Sequence, residues 1–331
     1  LVQVAAYLWF GDQRHLHERM LMLRRVRRIG AVSTGALLCS ALISFPLVAA
    51  DPIPPERSIS DEIIRFDRAT RELDSFTHLN AVIGRYRTLT TPYAGREGTL
   101  GVSGVEDLFE ATYSVLALWA DPREVATLRA LYGRLAERGA LQPKHVRRMY
   151  QAERALFEDG RANALVAGHP GLGLEPVAPL RRLGDAASNE SRRVIALGDE
   201  GTPYERRLPR AGNRLVVLVH PLCAPSNRAI AALSDSDRLR PLLDTATLLV
   251  RQEVGTDTLA EVRRWNAQHP PRTMYLVSTT VEEWSDLAAA ATPAFFLLHD
   301  DDRLERISEG MPDEAMLEKL HDAVLGNGPK G

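Results

Sequence analysis

Cysteine is almost absent: the 331-residue chain has two, Cys39 and Cys223. That scarcity excludes a disulfide-stapled scaffold and any zinc site built on cysteine pairs. Charge of one sign is lacking too. Against 41 basic side chains stand 43 acidic ones, a net charge of −2, which gives no electrostatic footing for nucleic acid. His269, His299 and His321 are scattered without ligand spacing, so neither a metal nor a cofactor is expected. What remains is an ordinary globular composition, 45% apolar and 25% charged, with length for two modest domains.

The first informative stretch is residues 20–50. Arg24, Arg25, Arg27 and Arg28 form a basic head, and an apolar run follows from Ile29 to Val48. Val48, Ala49 and Ala50 close it just before the proline-rich DPIPP. This is the layout of a secretory signal cleaved after Ala50. An uncleaved inner-membrane anchor is the alternative, since the run is nearly long enough to span a bilayer. Cys39 follows Leu38, a residue too bulky for the usual lipoprotein signal. Residues 1–19 precede the basic head, with candidate starts at Met20 and Met22, and read as an upstream extension. Setting 1–50 apart leaves Cys223 as the one cysteine of the expected mature chain. A single thiol in an exported protein closes no internal disulfide. It is buried and inert, paired with another molecule, or used.

Residues 51–170 read as an all-α domain. Ser60 is placed as the N-cap of a helix through DEIIRFDRATRELDSFTHLNAVIGRYRTL, with Ile63, Phe66, Leu73, Phe76 and Leu79 at helical spacing. Further helices are expected in VEDLFEATYSVLALWA, after the Asp121–Pro122 cap pair, after Pro143 and in RANALVAGH. Short turns predict antiparallel neighbours, and no repeat consensus stands out. Tyr113, Trp119 and Tyr150 read as core or interface aromatics, and no catalytic constellation is expected in this half. Residues 171–191, rich in Gly, Pro and small residues, read as a linker.

From 192 to 331 the pattern becomes α/β. RRVIAL and YERRLP read as a hairpin, RLVVLVH as a strand buried on both faces, and NRAIAALSDSDRL as the helix after it. A strand, a helix and another strand follow. The closing order is TPAFFLLHDDDRLERISEG, strand–turn–strand, then the helix PDEAMLEKLHDAVLG.

Cys223 falls between the buried strand and the helix. At a helix N-terminus the dipole and unpaired N–H groups favour a thiolate and lower the pKa from ~8.5 to somewhere between ~3.5 and ~7.5. Pro225 suits the first helical turn. Ser226, three residues on, places a hydroxyl within reach of the sulfur and is no resolving thiol. His220, three residues before, either helps a thiolate as an imidazolium or merely ends the strand.

These residues resemble the thioredoxin-like superfamily over about 192–328, in its exported redoxin branch. Cys223-Ala224-Pro225-Ser226 is similar to the family's Cys-x-x-Cys site, with Ser226 in the resolving position, a CxxS motif. Thr292-Pro293 before AFFLL resembles the Thr-Pro of the family's closing half, and the resemblance implies a cis Pro293 facing Cys223. It also implies thiol–disulfide exchange without an internal second step. The expectation is a periplasmic monothiol protein forming mixed disulfides with exported or envelope partners. The alternative is a non-enzymatic interaction module of the envelope on a degenerate fold, so enzyme status stays open. Membrane attachment is expected only if the signal segment stays uncleaved.

Overall fold

Helix caps divide the first half of the chain. The computed structural model describes residues 58–183, 192–198, 201–209, 212–278, 282–287 and 290–326; the expected signal segment and Cys39 lie outside them. Helix α1 (Ile59–Ala69) starts at Ser58, whose hydroxyl accepts from Asp61 N. Ser60 is therefore not the cap. Asp107, on another helix, accepts from Ile59 N at 2.7 Å and Ser60 N at 3.0 Å, satisfying two first-turn donors. The long helix expected from here to residue 89 is two helices. The Thr70 hydroxyl bonds Phe66 O at 2.8 Å at the end of α1, and Asp74 caps α2 (Ser75–Thr90). The break turns Leu73 and Phe76 outward, 45% and 56% exposed, rather than into the core.

Four more helices follow: α3 (Val102–Leu116), α4 (Pro122–Glu137, capped by Asp121), α5 (Pro143–Ala155) and α6 (Asp159–Gly168). Ile63, Val82, Val105, Phe109, Leu128 and Leu135 form the centre of their common core. Glu62 is buried in this half and is held between Arg65 (2.6 Å) and Arg85 (2.7 Å). Burial works against its charge, but the two guanidinium hydrogen bonds prevail, and its carboxyl lies below the usual range.

The second half is a seven-stranded mixed sheet with helices, in the order β2-β1-β5-β4-β3-β6-β7. The strands are β1 (Arg193–Leu197), β2 (Pro203–Arg207), β3 (Arg214–Leu218), β4 (Thr247–Arg251), β5 (Met274–Val277), β6 (Ala294–Leu298) and β7 (Leu304–Glu309). β3, β4 and β5 run parallel, and β6 runs antiparallel beside β3. The helices are α7 (Ala224–Asp235), α8 (Arg240–Thr245), α9 (Thr258–Gln268) and α10 (Glu314–Leu325). Alternation along β3 explains its unbroken apolar run. Leu215, Val217 and Val219 pack with Ile230, Leu233 and Leu317 of the helices. Val216 and Leu218 pack on the other face with Trp284 and Leu287.

The two halves are tied together beyond β4. Val254 is buried in the helical core. Gly255 has φ +91°, and a Cβ there would sit 3.4 Å from the Tyr113 hydroxyl, so both backbone freedom and close approach favour glycine. Arg154 of α5 bonds Asp257 at 2.7 Å. Residues 173–183 are also pinned. Asn163 bonds both the N–H and the carbonyl of Val177, and Arg181 bridges to Tyr204 on β2. Among the described residues no helix is long and apolar enough to cross a membrane.

Candidate functional site

β3 and β4 are parallel, so their carboxyl ends share one edge of the sheet, where the turn from His220 to Cys223 leads into α7. The turn is braced by several hydrogen bonds. Cys223 N donates to His220 O at 2.9 Å. The Pro221 carbonyl accepts from Asn227 Nδ2 at 3.0 Å, and Leu222 N donates to His220 Nδ1 at 3.2 Å. The turn delivers Cys223 as the N-cap of α7 in extended conformation (φ −82°, ψ 109°). Pro225 lies in the first helical turn, where a missing N–H costs no helical bond.

Cys223 is half-buried, and the neighbouring Leu222 is 63% exposed. Facing it is the cis Thr292–Pro293 bond at the entrance of β6. Pro293 O accepts from Gly310 N at 2.8 Å, which fixes the peptide against β7. Thr292 O accepts from the thiol at 3.4 Å. Ser226 is fully buried beneath the sulfur, its Oγ accepting from His220 N at 3.3 Å.

Burial pushes the Cys223 thiol up. The Ser226 hydroxyl, the Thr292 side chain, the Ser226 main-chain N–H and the charge of Arg228 act the other way and prevail. The thiol pKa therefore lies below its ordinary value. The Thr292 carbonyl is the exception, since an acceptor supports the S–H form.

His220 lies at the centre of the turn. Its ring is engaged on both nitrogens' sides away from a hydrogen bond to the sulfur. Nδ1 takes the Leu222 N–H, and Nε2 points toward Glu253, with Oε2 3.9 Å away. An Nδ1 that accepts carries no proton of its own, which puts the ring proton on Nε2. Sequence reasoning missed Asn227, Arg228 and Glu253. Asn227, four residues past the cysteine in the helix it caps, was the one open to inference.

Glu253 also lines a crevice of about 220 Å³ between Arg251–Val254 and the α3–α4 corner at Leu116–Ala120. The helical half thus borders the sheet edge that carries the thiol.

The helical half holds a cluster that the sequence did not suggest: Glu106, Glu110 and His145. It does not fit a metal. Lys144 bonds Glu106 at 2.6 Å, and Arg148 pairs with Glu110. His145 Nδ1 accepts from Gln142 N at 3.1 Å, which puts the proton on Nε2, the atom that faces the carboxylates.

No family model matches the chain, and no curated protein matches it. Among solved structures, a thioredoxin-like protein from Bacteroides caccae is similar over 88% of this chain and 98% of its own. Identity is 12% and the TM-score 0.29, too low to bring any residue role to this chain.

Proposed function

We propose that the chain is a monothiol member of the thioredoxin-like superfamily, of the exported redoxin branch, acting in thiol–disulfide exchange through Cys223. One observation carries this reading. A half-buried cysteine with lowered thiol pKa caps a helix and faces a cis Thr-Pro peptide across the sheet edge. The strand–turn–helix, cis-proline, hairpin and final helix occur in the order of the family pattern.

The chemistry is a displacement. The Cys223 thiolate attacks one sulfur of a partner disulfide. A Cys223–partner S–S bond forms, the partner's own S–S bond breaks, and the leaving thiolate takes a proton from water. Ser226 carries no thiol, so the mixed disulfide persists until a second thiol from another molecule attacks it. That attack restores the Cys223 thiolate and moves the disulfide to the incoming thiol. Exported or envelope proteins are the partners in this reading. The basic head and apolar run of residues 20–50 support a periplasmic location, soluble or anchored. The helical half, beside the thiol's edge, is the surface available to select partners.

Expression of the full chain in a Gram-negative periplasm with acid quenching tests this. On non-reducing gels, discrete adducts should appear that vanish on reduction and in Cys223→Ala. A free thiol with no adducts above the Cys223→Ala control would favour the non-covalent interaction module instead.

A further inference from the structure

We propose that His220 is a positioning residue of the thiol site. Its Nδ1 braces the turn that aims Cys223. This deepens the reading of Cys223 as a reactive thiol and rests on it.

His220 is the common member of three bonds around the turn. Its Nδ1 accepts Leu222 N–H at 3.2 Å, its carbonyl accepts Cys223 N–H at 2.9 Å, and its N–H donates to Ser226 Oγ at 3.3 Å. The first bond supplies an acceptor to an N–H that the i to i+3 turn leaves unpaired. The third orients the Ser226 hydroxyl: with its lone pair engaged by His220 N–H, its proton is free to point at the sulfur. His220 is 9% exposed, so its ring is held in place beneath the exposed Leu222. Loosening the turn moves both the capping position of Cys223 and the Ser226 donor. The chemistry asked of residue 220 is narrow: an acceptor two bonds beyond Cβ. Asparagine Oδ1 offers one at that distance; glutamine places its amide one bond too far, and leucine offers none.

The test uses the purified full chain. Cys223 alkylation by iodoacetamide is followed against pH for wild type, His220→Asn, His220→Gln and His220→Leu, with circular dichroism as the check on folding. In His220→Leu and His220→Gln the thiol titration should move up by about one pH unit, with roughly tenfold slower alkylation near neutrality. His220→Asn should stay within about twofold of wild type. A folded His220→Leu or His220→Gln with the wild-type profile, or a folded His220→Asn that fails like leucine, overturns the proposal. Nitrogen-15 spectra of the wild-type ring decide independently of any variant: an Nε2–H tautomer is expected, and Nδ1–H contradicts the brace. If the wild-type thiol titrates as an ordinary cysteine while the tautomer is Nε2–H, the reactive-thiol reading fails and the brace stands.

Discussion

The sulfur of Cys223 lies 3.4 Å from the main-chain oxygen of Thr292, 69 residues further along the chain. The sheet makes the meeting: β6 lies antiparallel beside β3, with Leu218 opposite Ala294. A thiol at the end of one strand therefore faces the peptide that opens the next.

Ser226 is the donor in this pair's surroundings. Ser226→Ala removes a hydroxyl that favours the thiolate. The expected result is a Cys223 titration about one unit higher, on the scale of one charge-assisted hydrogen bond. Thiolate absorbance near the ultraviolet edge, followed against pH, checks this. An unchanged midpoint would assign the lowered pKa to other neighbours.

Ser226→Cys tests the missing second step. A thiol introduced there should displace the partner from the mixed disulfide and close an internal S–S bond with Cys223 in its place. Adducts on non-reducing gels should fall about tenfold or more, with the partner released reduced. Adducts at wild-type level would show that a sulfur at this position cannot reach the bond.

Much of this arrangement was legible in the sequence. The β3 run announces burial on both faces, Cys223 caps the helix whose first turn holds Pro225 and Ser226, and it meets Thr292 just before Pro293. What was illegible depended on partners distant in the chain. Ser58 and Ser60 are equally good caps by type, and only Asp107, arriving from α3, frees Ser60 from that duty. The break after Thr70 is made by a side chain folding back on its own helix and by Asp74 starting the next, while the apolar spacing runs on through it. The direction of His220 depended on the Leu222 N–H, which no side-chain pattern reveals.

Glu62 should govern part of the acid stability. Its folded pKa is depressed, so its contribution is full above the unfolded value of about 4.3 and is lost as pH falls through the lower folded value. Glu62→Ala removes a carboxylate that accepts from both Arg65 and Arg85 and is expected to cost about 2 kcal/mol at neutral pH. The loss should shrink as pH falls through the depressed folded value and the wild-type carboxyl itself protonates. Urea denaturation at several pH values measures it, and a cost independent of pH would contradict the assignment.

Val254 joins the halves. Val254→Ala removes buried methyl groups from the helical core at a position that belongs to the sheet half. A loss of about 2 kcal/mol is expected from transfer and cavity costs together. Followed by tryptophan fluorescence and circular dichroism, it should lower both signals' midpoints together. A shift in one signal alone would show that the halves unfold separately.

The most direct test of the central claim is the titration of Cys223 in the native full chain, read by thiolate absorbance against a Cys223→Ala blank. The account predicts a midpoint clearly below the ~8.5 of a free cysteine, with disulfide reagents reacting faster than with an unfolded control at neutral pH. A midpoint at or above that value, with slow reaction, would contradict it and leave Cys223 an inert thiol.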